Sequence, residues 1–122
     1  MPVYFLTEEQ RANYGRYVSE PSAEDLARYF YLNDFDREKA MNKRGEHNCL
    51  GFAVQLTSLR YLGCFLDNCA EAPAVVVNML ARQLGIRDTS CLSMYKDQRQ
   101  RLRHTEEICL QYGYSEFTEP LN

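Results

Sequence analysis

Apolar residues recur along this chain at helical rather than alternating spacing, and the polar residues between them fall where helices begin and end. Thr7-Glu8-Glu9-Gln10 has the form of a capping box with Thr7 as N-cap, which predicts a helix from about Glu8 to Tyr17. Ser22, after Pro21, caps a second helix whose apolar face of Leu26, Tyr29 and Phe30 carries it to about Leu32. Asn33 or Asp34 caps a third, from Phe35 to about Lys43, closed by Lys43-Arg44-Gly45. A longer helix from about Glu46 to Leu62 is apolar over most of its circumference: Leu50, Phe52, Ala53, Leu56, Leu59 and Leu62 do not fit one narrow stripe, so it is expected to be the central core helix. Its one polar line is Asn48, Gly51, Gln55 and Ser58, and Gly51 on that line admits a close neighbour, expected to be another helix.

Gly63 ends this helix, and Cys64 to Ala72 reads as a loop before Pro73, which suits the first turn of a helix over Ala74 to Leu84. There Val75, Val76, Met79 and Leu80 are the expected buried positions and Gly85 the stop. The Val75-Val76-Val77 run lies between a helix-starting proline and Met79-Leu80-Ala81, which favours helix over strand. Asp88 or Thr89 starts a short helix containing Cys91, Leu92 and Tyr95. A last helix has Leu102, Thr105, Cys109 and Tyr112 at helical spacing on its expected inner face and Gly113 as C-cap. The predicted fold is all-α: about seven helices in two groups, about 1–63 and 73–117, joined by the loop 64–72 and packed as one compact unit. Each group repeats a short helix, a turn and a longer helix, the geometry of a helix-turn-helix.

At 122 residues, with 45% hydrophobic and 25% charged residues, the chain matches an ordinary folded domain and not a disordered one. The net charge of −3 restricts any nucleic-acid site to a local patch, and the acids sit mainly in Glu20 to Glu38 and Glu106 to Glu119. The apolar run Met1 to Leu6 is too short for a signal peptide and no stretch approaches a membrane span, so a cytoplasmic protein without membrane contact is expected. Five cysteines (Cys49, Cys64, Cys69, Cys91, Cys109) form no close CxxC pair and, with only His47 and His104 to join them, give no metal pattern; they are expected to be reduced. Neither histidine stands in a nucleophile motif, no Gly-rich phosphate loop is present, and Asp34 with Asp36 reads as a helix-start pair. No catalytic residue and no cofactor are expected in this chain.

Chemistry concentrates in Lys96-Asp97-Gln98-Arg99-Gln100-Arg101-Leu102-Arg103-His104, where nine positions hold four of the 14 basic residues of an acidic chain. In a helix, Lys96, Arg99 and Arg103 share one face, and like charges so spaced disfavour an isolated helix by roughly 0.2–0.5 kcal/mol per pair. The arginines also precede Glu106 and Glu107, the reverse of what the macrodipole favours. A phosphate-bearing partner reverses both penalties, as in a recognition helix that presents its N-terminal half to duplex DNA. On that reading Gln100, Arg101, Arg103 or His104 meets base edges while Lys96 and Arg99 meet phosphates. Lys43, Arg44, His47 and Asn48 either add phosphate contacts or cap the central helix locally. The competing reading is a solvated face with Arg103 and Glu107 paired one turn apart. A different class of function, protein docking, would use the aromatic residues Tyr4, Phe5, Tyr112, Tyr114 and Phe117.

Taken together, Asp25-Leu26-Ala27-Arg28-Tyr29-Phe30, Arg44-Gly45-Glu46-His47-Asn48, Leu50 to Leu56, Leu59-Arg60-Tyr61-Leu62-Gly63, Leu80 to Ile86 and Tyr112-Gly113-Tyr114 make the chain resemble the N-terminal domain of transposases of the Tn-three family. The resemblance covers nearly the entire chain in order. It implies a DNA-binding module for transposon terminal inverted repeats within a much longer replicative transposase, whose magnesium-dependent acidic triad lies downstream. Its implied partners are double-stranded DNA at transposon ends and the remainder of the transposase chain, with oligomers allowed. Cys49 and Cys64 depart from the basic residues expected there, which would remove two phosphate contacts.

Overall fold

The computed structural model describes Tyr17 and residues 20–66 and 68–113. Among these are α1 (Ala23–Tyr29), α2 (Asp34–Met41), α3 (Glu46–Leu62), a 3-10 turn at Cys69–Glu71, α4 (Ala74–Leu84), a second 3-10 segment at Thr89–Met94, and α5 (Gln98–Tyr112). No strand occurs among the described residues, and the expected all-α class holds. The helix expected over Glu8 to Tyr17 lies, apart from Tyr17, outside them, as do Tyr4, Phe5, Tyr114 and Phe117.

Local chemistry sets the helix starts. The Ser22 hydroxyl accepts from the Asp25 amide. At α2 the Asn33 side chain accepts from the Asp36 amide at 2.8 Å while the Asp36 carboxylate accepts from the Asn33 amide at 3.1 Å, a reciprocal box that satisfies two otherwise orphaned donors. This helix stops at Met41, short of the expected Lys43. Gly45 does not close it. With φ of 87°, where a side chain is strained, it opens α3 instead.

Residues Asn48 to Leu59 of α3 are buried without a break, and α1, α2, α4, α5 and both 3-10 segments pack on this helix. A helix apolar over most of its circumference is stable in water only when covered over most of it, and its polar residues Asn48, Gln55, Thr57 and Ser58 are buried with the rest. Leu50, Phe52, Ala53, Val54 and Leu56 are wholly buried, and each large side chain so buried contributes about 1.5–3 kcal/mol. On α4 the core positions are Val76, Val77, Leu80, Ala81 and Leu84; Val75 and Met79, expected inside, are half-buried because the helix presents the face one step round.

The segment 64–72 is no mere connector. Cys64, Leu66, Cys69 and Ala72 are buried in it, the Leu66 amide donates to Gln55 Oε1 at 3.2 Å, and the Leu66 carbonyl accepts from Arg101 Nη2 at 3.1 Å. It therefore fastens α3 to α5 through one residue's backbone. The neighbour of Gly51 is an aromatic ring and not a helix: a Cβ there would lie 2.4 Å from Tyr95 Cδ1.

Two polar ties complete the frame. Asp36, 1% exposed, accepts from Arg60 Nη2 and from the Tyr112 hydroxyl, both at 2.8 Å, joining α2, α3 and α5. Burial, and then the carboxylate beside it, push the Tyr112 phenol well above its usual range. Gln83 accepts from the Leu32 amide and donates to the Phe30 carbonyl, each at 2.8 Å, so α4 holds the α1–α2 connection. None of the five cysteines is in a disulfide, and burial pushes the Cys69 thiol up to about 12. Among the described residues no helix is long and apolar enough to cross a membrane, and no three His, Cys, Asp or Glu side chains are grouped to hold a metal ion.

Candidate nucleic-acid interface

Asp97 starts α5, its carboxylate accepting from the Arg99 amide at 2.9 Å. The acid the macrodipole asks for is thus supplied by the cap itself, and the cations that follow are carried on the sides of the helix. Those sides differ. His104 and Ile108 are buried, with Arg101, Thr105 and Tyr112 beside them, while Arg99, Leu102, Arg103, Glu106 and Leu110 face outward. The inner face expected from Leu102, Thr105, Cys109 and Tyr112 is therefore rotated: Leu102 is 58% exposed, and Ile108 lies at the centre of the contact.

Lys96, Arg99 and Arg103 are exposed, and no ion pair to any of them occurs among the described residues. The expected Arg103–Glu107 pair does not form, because Glu107 is taken by Lys43, whose Nζ lies 2.5 Å from Oε1 and 4.6 Å from the Phe52 ring centre. This contact brings the α2–α3 connection against α5, so that exposed Arg44 and the basic face of α5 belong to neighbouring elements. It also cancels one of the two acids that follow the arginines. Lys43 is thereby committed to the protein's own carboxylate.

Three other candidates turn inward. His104 is 4% exposed; its ring stacks on Tyr95 at 5.5 Å between centres, meets Phe52 edge-on, and its Nδ1 is hydrogen-bonded to the Tyr95 hydroxyl at 2.7 Å. Burial, reinforced by the Lys43 charge and opposed by Glu107, lowers its pKa to about 4, while burial raises the Tyr95 phenol far above its usual range. With a neutral imidazole and a protonated phenol, the bond runs in either direction according to which ring nitrogen carries the proton. At 4% exposed, His104 offers little of its ring to a base. Arg101 is half-buried and donates to the Leu66 carbonyl, and its Nε has no partner among the described residues. Asn48 is buried and donates to the Arg44 carbonyl at 2.8 Å, which is the local capping role. His47 is half-buried against Gly45, where a Cβ would lie 2.8 Å from its Cε1, and Gln100 is half-buried.

Cys49 and Cys64 are both buried, 8% and 2% exposed, so neither position is one at which a missing cation removes a phosphate contact. Sequence reasoning gave Tyr95 no part in the site, put Leu102 on the inner face and missed the Lys43–Glu107 pair. The first was readable as the aromatic that a glycine-lined helix face must admit. The others depend on which side of α5 meets α3, and leucine spacing gave that side wrongly.

Comparison with known proteins adds a family. A domain of unknown function, DUF4158, matches residues 5–121. The transposase for transposon gamma-delta of Escherichia coli (strain K12) is 45% identical over 118 residues, 96% of this chain and 12% of that protein. The transposase for transposon Tn501 of Pseudomonas aeruginosa is 37% identical over 87 residues (71% of this chain, 9% of that protein). That for transposon Tn1546 of Enterococcus faecium is 35% identical over 115 residues (93% and 11%). The chain thus spans about a tenth of the length of these relatives. No solved structure matches.

Proposed function

Because the chain belongs to the DUF4158 family and is similar over most of its length to part of several transposases, we propose that it is a duplex DNA-binding module that recognises transposon terminal inverted repeats. In this reading it is the N-terminal domain of a larger replicative transposase of the Tn-three type, acting in the cytoplasm. The remainder of that transposase supplies the strand chemistry, and this domain needs no cofactor. The observation that carries the reading is the outward face of α5, where Arg99 and Arg103 stand exposed, with exposed Lys96 just before its cap, and among the described residues no ion pair reaches any of the three. Each cation set on a phosphate releases condensed counterions, which gives affinity that a surface ion pair in water does not. Exposed Arg44, on the connection that meets α5 at Glu107, is a further candidate phosphate contact, and Gln98 and Gln100 offer amides to base edges.

The test is a mobility shift on a duplex carrying the terminal inverted repeat of a related transposon, against a scrambled duplex, at several salt concentrations. The repeat should bind more tightly, and the Arg99→Ala/Arg103→Ala double variant should lose about 1.8 from the slope of log affinity against log salt, 0.9 for each contact. An unchanged slope in a folded double variant removes this helix from the interface. Incubation with magnesium and supercoiled DNA should leave the DNA unnicked; nicking abolished by one carboxylate substitution would overturn the assignment of strand chemistry to the rest of the transposase.

A second reading, docking onto another part of the transposase or onto a second copy, draws on Leu110 at 81% exposed and Met94 at 66%. Tyr112, expected on that surface, is instead engaged with Asp36 and Phe35. Light scattering of the protein alone separates the two: a concentration-dependent dimer lost in Leu110→Lys, with no duplex binding, favours docking.

A further inference from the structure

Leu102 stands in the wrong place for a core residue. It is 58% exposed on the first half of α5, one turn after Arg99 and next to Arg103. With Gln98, Arg99, Arg101 and Thr105 it lines an open groove of about 450 Å³. Thr105 donates its hydroxyl to the Leu102 carbonyl at 2.9 Å, so its methyl is the group left uncommitted. The result is an apolar spot framed by guanidinium and amide groups, on a helix whose Arg99 and Arg103 face away from the protein. On the floor of a duplex groove the bases present donors, acceptors and one apolar group, the C5-methyl of thymine, which is found in the major groove alone.

Resting on the DNA-binding reading above, we propose that Leu102 is a specificity-determining residue, which packs against the C5-methyl of a thymine in the major groove, with the Thr105 methyl beside it. Arg99 and Arg103 hold the flanking phosphates, and Glu106, the next outward residue, turns the face acidic and limits the docked part of α5 to its first two turns. Leu102 replaces His104 and Arg101 as the reader, since those two are occupied inside the protein.

The experiment selects bound sites from a random-sequence duplex pool and remakes the winning duplex with deoxyuridine for thymidine at one position at a time, which removes only the methyl. The wild-type domain should lose roughly fourfold in affinity at one or two positions, the value of one buried methyl group. Leu102→Ala should lose a similar factor on the thymine duplex and then be indifferent to uracil at those positions, with circular dichroism confirming the fold. Wild-type indifference to every uracil, or continued sensitivity in Leu102→Ala, overturns the proposal. If the Arg99→Ala/Arg103→Ala variant loses affinity while Leu102→Ala does not, the thymine contact falls and the DNA-binding reading stands. If no duplex is enriched, both fall.

Discussion

Arg101 and Arg103 lie two residues apart in one helix and have opposite fates. Arg101 is half-buried and donates to the Leu66 carbonyl, whereas Arg103 is exposed and has no ion pair among the described residues. The same division runs along α5: His104 and Tyr112 have hydrogen-bond partners inside, Arg99 and Leu102 face water. A count of basic residues therefore overstates a nucleic-acid site. What marks the site is the set of cations left over once the protein's own carbonyls and carboxylates have taken theirs.

If that division is real, inner-face variants should damage the fold and outer-face variants should spare it. The largest effect is expected at Asp36→Ala, which strands Arg60 and the Tyr112 hydroxyl; breaking such a buried pair costs about 3–5 kcal/mol, here toward the lower end because Arg60 is partly exposed. Urea unfolding measures it, and a loss under about 1 kcal/mol would show that the inner face is not held by this carboxylate.

Acidification comes next. The folded-state pKa of His104, about 4, lies below the ordinary value of 6.5, so its contribution is intact above pH 6.5 and is lost as pH falls toward 4. From those two values the loss is about 2 kcal/mol at pH 5. Denaturation at pH 7 and pH 5 should show a difference that shrinks by about that amount in His104→Gln; an imidazole resonance of His104 titrating near pH 6.5 would contradict the burial. Gly51→Ala forces a Cβ to 2.4 Å from the Tyr95 ring, an overpacking cost of about 1–3 kcal/mol. Combined with Tyr95→Leu, the penalty should be less than the sum of the two single changes, and strict additivity would dissociate the glycine from the ring. The smallest effect is on the outer face, where Arg99→Ala and Arg103→Ala should each change stability by no more than about 0.5 kcal/mol.

Periodicity was sufficient where burial is apolar on all sides. The bounds of α3 and α4 follow from their leucine, valine and glycine positions, as do the stops at Gly63 and Gly85. It failed on α5, because the inner line there is Arg101, His104, Ile108 and Tyr112, polar in three of four positions. These residues can be inside only because Leu66, Tyr95 and Asp36, distant in sequence or in another element, answer their hydrogen bonds. The basic island itself was visible; which of its members are available was decided by partners that no local pattern names. The reach of segment 64–72 into the core was hidden likewise, since the Leu66 backbone is held by side chains from Gln55 and Arg101.

The complete burial of α3 also has a consequence in time. Its covering helices α4 and α5 follow it in the chain, and α5 closes about 50 residues after α3 ends. At about 5–20 residues per second of synthesis, the side of α3 that α4 and α5 cover waits several seconds on the ribosome for its cover. During that interval the nascent segment around Phe52 and Leu56 is a ligand for chaperones, and slowing translation between Leu62 and Tyr112 should raise the fraction of the product that aggregates.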